Sequence, residues 1–357
     1  MKKWEANIRK VVPYTPGEQP NQPDMIKLNT NENPYPPAPG VREALLNLDV
    51  DRLRLYPDPA CSKLVKALAK RYQVGEDQVF VGVGSDDVLA MCFQTFFNSK
   101  KPILFPDISY SFYPVWADLF GIPYEMQPLD EEFRIVKEDY YRENGGIIFP
   151  NPNAPTSLLI EHGDVEDIIA HNQESVVIVD EAYIDFAEGP SAIELLDQYE
   201  NLLVVQTFSK SRSMCGMRIG FAIGSPALIR SLNDVKYAFN SYTLGLPSLE
   251  LGTAAVEDEA YFRETIGKIK ATRERSKEAL RELGFTYLEP SANFIFATHP
   301  SCDAKALFEG LKKEHIYVRY FAKPRIDRYL RITIGTDAEM DRMFEVLKRL
   351  VEQLREA

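Results

Sequence analysis

Lys210 lies in QTFSKSRSMCGMRIGFA, residues 206–222, between the apolar runs NLLVV and RIGFAIG. Both runs read as buried strands, so the lysine falls in a turn at the edge of a core. A lysine is strongly hydrated and is seldom buried without a partner, so its placement calls for a chemical reason. Four more strand-like runs end in polar or aromatic groups. GVG runs into Ser85, Asp86 and Asp87; KPILF into the loop carrying Tyr110; GGIIF into Asn151 and Asn153; SVVIV into Asp180, Glu181, Ala182 and Tyr183. The run LLVVQ leads to Ser209 and Lys210. Ligands of open parallel sheets bind beyond the carboxyl ends of the strands. Each residue also has an ordinary reading: Asp86 as a helix N-cap, Tyr110 and Tyr183 as core aromatics, Asp180 as a turn residue, Lys210 as a solvated amine. Five such groups converging on one sheet edge argue for a site.

These types answer the needs of one cofactor, pyridoxal 5'-phosphate. Its aldehyde needs an amine, and Lys210 could form that Schiff base. A protonated pyridine nitrogen makes the ring an electron sink, and a buried carboxylate at Asp180 would hold that proton by opposite charge. Tyr183, three residues on, can reach the 3-oxygen of the ring, and Tyr110 can stack on its face. The phosphate suits the free N–H groups at the start of a helix over 85–97, helped by Ser85, Ser209 and Arg218.

Other chemistries find less support. GVGSDD lacks the third glycine of a dinucleotide fingerprint, no G-K-[ST] phosphate loop or G-x-S-x-G elbow occurs, and the histidines suggest no serine-type triad. The cysteines 61, 92, 215 and 302 and the histidines 162, 171, 299 and 315 are dispersed, so no metal site is expected. A formal charge of −12 disfavours a nucleic-acid binder yet permits a small anionic substrate in an arginine-lined cleft. Unpaired thiols, no signal-peptide pattern and no apolar stretch of membrane-spanning length point to the cytoplasm.

The positioning elements follow from the pattern of the 357 residues. Residues 1–40 are rich in proline and asparagine and read as an extended arm lying over the rest, anchored by Tyr14, Ile26 and Leu28. Over 41–250, short apolar runs alternate with helical patterns, as expected for an α/β domain with a mostly parallel, double-covered sheet. Residues 251–357 read as a smaller α+β domain. It is joined through a long charged helix over about 258–283 and carries the strands FTYL, NFIFAT, IYVRYF and YLRITIG.

Nearly the whole chain resembles the fold type I, class I/II aminotransferases, and among them the histidinol-phosphate aminotransferases. KLNTNENPYPPAP is similar to the family segment L-N-x-N-E-N-P-x-x-P-x-P, and LYPDP to R-Y-P-D-P, with Leu55 before the tyrosine. GVGSDDVL resembles G-x-G-S-D-E, DEAYIDF resembles D-E-A-Y-x-x-F, and SKSRSMCGMRIGFA resembles S-K-A-x-x-x-A-G-L-R-x-G-Y. SANFIFA, YVRYF and YLRITIGT resemble its C-terminal motifs. The resemblance implies Lys210 as the Schiff-base lysine, Asp180 on the pyridine nitrogen, Tyr183 on the 3-oxygen and Tyr110 over the ring. It puts Ser85, Asp86, Ser209 and Arg218 at the phosphate. Tyr56 falls where the family sends a tyrosine to the phosphate of a neighbouring subunit, implying a homodimer with shared sites. Tyr14, Asn33, Asn293, Arg319 and Arg331 fall at substrate-facing positions.

One motif departs from the pattern. The family reads P-N-N-P-T-G, its second asparagine reaching the ring 3-oxygen, whereas this chain reads PNAPTS, with Ala154 and Ser157. That places more of the burden on Tyr183, unless Asn153 shifts in. The implied activity is reversible amino transfer between histidinol phosphate and 2-oxoglutarate, with Lys210 as proton carrier and Arg319 and Arg331 on the anionic groups. The alternatives are an aromatic or other amino-acid aminotransferase, a phosphothreonine decarboxylase-like enzyme, and a non-catalytic binder of the cofactor.

Overall fold

The structure, a computed structural model, describes residues 2–356. Its centre is a seven-stranded sheet in the order Val79–Gly82, Gly220–Gly224, Leu202–Thr207, Val177–Asp180, Ile147–Pro150, Ile103–Pro106 and Tyr124–Gln127. Only Gly220–Gly224 runs antiparallel to its neighbours; every other pairing is parallel. Strand alternation splits the apolar residues between two cores. Val177, Val179, Leu202 and Val204 pack on one face, and Ile178, Leu203 and Val205 on the other. Burial on both faces is what makes these runs continuously apolar in sequence. The edge strand Tyr124–Gln127 is half-exposed and reads YEMQ, too polar to stand out as a strand. The helices Pro39–Leu46, Pro226–Phe239 and Leu246–Glu257 also lacked a distinct signal.

The second sheet is antiparallel, in the order Arg319–Tyr320, Tyr329–Thr333, Phe294–Thr298 and Thr286–Tyr287. Between the two sheets in sequence lies the helix Glu259–Glu282, capped by Asp258, whose carboxylate accepts from the Tyr261 N–H. Its buried stripe of Phe262, Ile266, Ile269 and Leu280 joins the core of the second sheet.

The N-terminal segment forms a separate two-stranded sheet and is also tied by its backbone to the second sheet. Ile26–Lys27 pairs in parallel with Ile316–Tyr317, the Leu28 N–H donates to the Tyr317 carbonyl, and the Thr333 N–H donates to the Leu28 carbonyl. Leu28 is fully buried in the same core as Ile332 and Ile334. Earlier in the segment, Tyr14 stacks on Phe112 with ring centroids 4.1 Å apart, while Val11 and Val12 remain exposed. The anchoring of Leu28 makes the segment part of the cooperative fold. Leu28→Ala should therefore lower unfolding free energy by about 2–4 kcal/mol, as a buried truncation does, measured by urea denaturation.

Candidate active site

The carboxyl ends of the parallel strands open into a cavity of about 330 Å³. Lys210, Asp180, Tyr183, Tyr110, Ser85, Asp86, Ser209, Arg218, Tyr14, Arg319 and Arg331 all line it. Asn33, Asn153, Asn293 and Tyr56 do not.

Asp180 ends the strand Val177–Asp180 and is 4% exposed. By strand alternation it shares a face with Ile178, the face covered by the helices Ser85–Phe96 and Phe112–Phe120. From the second helix Tyr113 donates its hydroxyl to Asp180 Oδ2 at 2.8 Å, and the Ala182 N–H donates to Oδ1 at 3.3 Å. Burial outweighs these two donors and pushes the Asp180 carboxyl up to about 6. Among the described residues no cationic side chain lies within salt-bridge distance of it. A buried, hydrogen-bonded carboxylate facing a cavity suits a protonated ring nitrogen.

The helix Ser85–Phe96 begins at the cavity with Gly84 as N-cap and no capping side chain, which leaves its first N–H groups for a ligand. Asp86 is therefore not the N-cap expected from sequence. Its carboxylate instead accepts from the Tyr110 hydroxyl at 2.7 Å and lies 3.6 Å from the Arg218 guanidinium. Two glycines shape this end. Gly84 has φ +83°, and a Cβ on it would meet Arg218 Nη2 at 2.5 Å. A Cβ on Gly220 would meet the Ser85 nitrogen at 2.3 Å, so only glycine lets the strand approach the helix start this closely. Ser209 sits beside it, its N–H donating to Thr207 Oγ1 and its own oxygen accepting from the same hydroxyl. A phosphate dianion matches this set of N–H, hydroxyl and guanidinium donors.

Lys210 extends from the turn after Leu202–Thr207, and its amine donates to the Thr30 carbonyl at 2.9 Å. It stands 5.8 Å from the Tyr183 ring centroid. Burial, then the neighbouring Asp86 carboxylate, pushes the Tyr110 phenol far up, so it stays a neutral donor and ring surface. The remaining cavity wall carries the two arginines. Arg319 and Arg331 are directly opposed on adjacent antiparallel strands, an arrangement that repels unless an anion lies between or beside them. Arg331 donates through Nη2 to the Asn29 carbonyl, while its Nε has no partner. Burial, and to a lesser extent Arg319, holds the Arg331 guanidinium below its usual range. No carboxylate among the described residues lies within 4.0 Å of either guanidinium.

The four other residues sit behind or beyond this wall. Asn153 is buried and tied down, its amide donating to the Ile108 carbonyl and to Thr156 Oγ1, both at 3.0 Å. It does not move in to replace the asparagine missing at Ala154. Asn293 donates to the Asn31 carbonyl, and Asn33 donates to the Ser211 carbonyl while accepting from the Tyr35 N–H. Both therefore brace the 29–33 segment. Tyr56 is 82% exposed and stacks on Tyr242 at 4.6 Å, away from the cavity of its own chain.

Two site residues escaped the sequence reading. Tyr113 holds Asp180 from a helix 67 residues away, and Asn31 donates to the Tyr183 hydroxyl across 152 residues. Tyr113 lies one helical turn from Tyr110, and Asn31 lies midway between Asn29 and Asn33, but neither spacing specifies its partner. Taken together, the cavity can hold a flat aromatic aldehyde with a basic ring nitrogen and a phosphate, beside an anionic substrate. That fits the cofactor expected from sequence.

The comparisons agree with that geometry. The family described as "Aminotransferase class I and II" matches residues 23–347. A histidinol-phosphate aminotransferase of Clostridium beijerinckii is 49% identical over 347 residues, spanning 97% of this chain and 97% of the relative. Histidinol-phosphate aminotransferase 2 of Dechloromonas aromatica is 51% identical over 351 residues, spanning 97% and 98%. Among solved structures, the Sinorhizobium meliloti histidinol-phosphate aminotransferase in complex with pyridoxal-5'-phosphate superposes with a TM-score of 0.85 at 22% identity. It covers 92% of this chain and 91% of that one. At that identity the likeness concerns the fold.

The Asp180 charge has a measurable consequence in the ligand-free protein. Its raised carboxyl makes ionisation cost stability as pH rises from its ordinary value near 4 through about 6. Asp180→Asn should leave stability unchanged near pH 3 and raise it by about 3 kcal/mol at pH 7. Thermal unfolding of the two ligand-free proteins across that range checks the sign.

Proposed function

Since the chain belongs to the class I and II aminotransferases, we propose that it uses pyridoxal phosphate to move an amino group reversibly between histidinol phosphate and 2-oxoglutarate. Near-full-length identity of about half to relatives carrying that name supports the substrate pair. Within the cavity, the observation that carries the reading is the Arg319–Arg331 pair in the same cavity as Lys210, with no carboxylate among the described residues within 4.0 Å to neutralise it.

Bound pyridoxal phosphate supplies an aldehyde that accepts the amino group and a ring that spreads the negative charge left on the substrate carbon. The Lys210 amine would hold the cofactor through its aldehyde. As a free amine it would take the proton from the substrate α-carbon and give it back in the course of amino transfer. The Asp180 carboxylate would hold a proton on the ring nitrogen, with Tyr113 keeping it aimed. Tyr183 would donate to the 3-oxygen, and Tyr110 would cover the ring. The Ser85 helix start, Ser209 and Arg218 bind the phosphate. Arg319 and Arg331 take the carboxylate of glutamate in one half of the cycle and the phosphate of the other substrate in the second. A guanidinium fork matches both anions, which lets one pair of residues serve two substrates.

The active unit is a homodimer. Leu46, Val50, Leu55 and Phe239 are exposed apolar side chains in the two stretches of sequence that carry the exposed, stacked Tyr56 and Tyr242. A second copy covering them would remove apolar area from water and bring Tyr56 to the phosphate of its neighbour. Its four free cysteines, and relatives that carry the name of a biosynthetic activity, support a cytoplasmic setting. Among the described residues no helix is long and apolar enough to cross a membrane.

A coupled assay with histidinol phosphate and 2-oxoglutarate should give turnover, and Lys210→Ala should reduce it by about 10³-fold or more. Borohydride treatment of the loaded protein should add the cofactor mass at Lys210. Turnover of phenylalanine or tyrosine with none of histidinol phosphate would overturn the substrate assignment. For the interface, Leu46→Glu combined with Val50→Glu should give a monomer by light scattering and lose most activity. An active monomer would contradict a shared site.

A further inference from the structure

Ala154 lines the cavity against Phe294, beside Tyr183, and offers no donor where the family pattern has an amide. Asn153 is held elsewhere, as described. A different amide approaches from the N-terminal segment. Asn31 is 1% exposed and adopts a left-handed φ of 57°, a conformation asparagine tolerates better than most residues. Its Nδ2 donates to the Tyr183 hydroxyl oxygen at 2.9 Å. Its Oδ1 accepts the Thr333 hydroxyl proton at 3.0 Å, and its own backbone N–H donates to Thr333 Oγ1 at 3.1 Å. Asn293 donates to its carbonyl, fixing the backbone from the other side.

This chain of bonds has a direction. Thr333 receives one hydrogen bond from the Asn31 backbone and passes its own proton to Oδ1. That leaves the Asn31 amide hydrogens for Tyr183. A reversed amide would bring a second N–H onto Thr333 Oγ1, beside the Asn31 backbone N–H, and take Oδ1 away from the threonine proton; Oδ1 would then face Tyr183, which would give its proton to Asn31. In the observed direction the Tyr183 oxygen already accepts, so its hydroxyl proton is free to point into the cavity. Accepting a hydrogen bond also strengthens an O–H as a donor.

We propose that Asn31, oriented by Thr333, is a positioning residue that commits Tyr183 to donate to the 3-oxygen of the cofactor, a load that Ala154 does not share. The inference rests on the pyridoxal-phosphate reading above. The charged and titratable groups around Tyr183 are Lys210, Arg331, Asp180 and Tyr113, and none of them is altered in the variants that follow.

The test is the pH midpoint of the absorbance change of the bound cofactor, read alongside cofactor stoichiometry. A donor to the 3-oxygen stabilises its anionic form, so weakening that donor raises the midpoint. Asn31→Gly keeps the left-handed backbone accessible and removes the amide. It should raise the midpoint by roughly half to one pH unit, the size of one weakened hydrogen bond to a charged group. The same substitution in a Tyr183→Phe background should move it by less than about a fifth of that, since both act through one hydroxyl. Adding Ala154→Asn to Asn31→Gly should bring the midpoint back down. Thr333→Val, which releases the amide orientation, should shift it in the same direction by a smaller amount and serves if Asn31→Gly folds poorly. An unmoved midpoint in both Asn31→Gly and Thr333→Val, or an equal shift with and without the Tyr183 hydroxyl, would overturn the relay. Failure of the unaltered protein to bind the cofactor would instead sink the reading on which it rests.

Discussion

The site depends on an electrostatic imbalance held inside the protein: a carboxylate at the end of a central strand, almost wholly buried and met only by neutral donors. Asp180 is buried because strand alternation points it into the helix-covered face of the sheet, where Tyr113 and Ile178 also lie. Its burial strips away most of its hydration, and two hydrogen bonds do not offset that loss. The fold therefore tolerates a group that would be better neutral, and a cationic ligand relieves the penalty. Such a conflict between stability and chemistry is characteristic of working sites.

A second imbalance of opposite sign lies across the same cavity. Arg319 and Arg331 face one another from neighbouring strands, and repulsion between them is relieved by an anion. Lys210 stands with these charges around one space, its amine resting on a backbone carbonyl rather than on a carboxylate. A lysine locked in an ion pair would be harder to discharge and slower to carry a proton. Holding it by a single neutral acceptor leaves it anchored yet available.

The stretch 28–33 joins these parts. Its carbonyls accept from Arg331, Lys210 and Asn293, and its Asn31 side chain reaches Tyr183. An asparagine-rich stretch with little regular structure thus forms a cavity wall, because its backbone polar groups are satisfied by the sheets and by site side chains rather than by one another. Anchoring at Leu28 on one side and at Asn33 on the other gives an irregular segment the rigidity a site requires.

Much of this was legible in the sequence, for local reasons. The interior strands are apolar on both faces, so Ile147–Pro150, Val177–Asp180 and Leu202–Thr207 stood out as unbroken runs, and their polar ends marked the cavity. Lysine, aspartate and tyrosine at those ends specified a chemistry by type alone. What spacing could not decide was which polar group pairs with which. Asp86 looked like a cap and is instead held by Tyr110 and Arg218, because Gly84 caps the helix with backbone alone. Asn153 looked free to help and is consumed by Ile108 and Thr156. Tyr113 and Asn31 carried no signal, since their bonds cross 67, 152 and 302 residues of chain. Periodicity and residue type act over a few neighbours and so determine elements and reactive groups from sequence. The direction of a buried hydrogen bond depends on every donor and acceptor packed around it, and only the assembled tertiary structure brings those together.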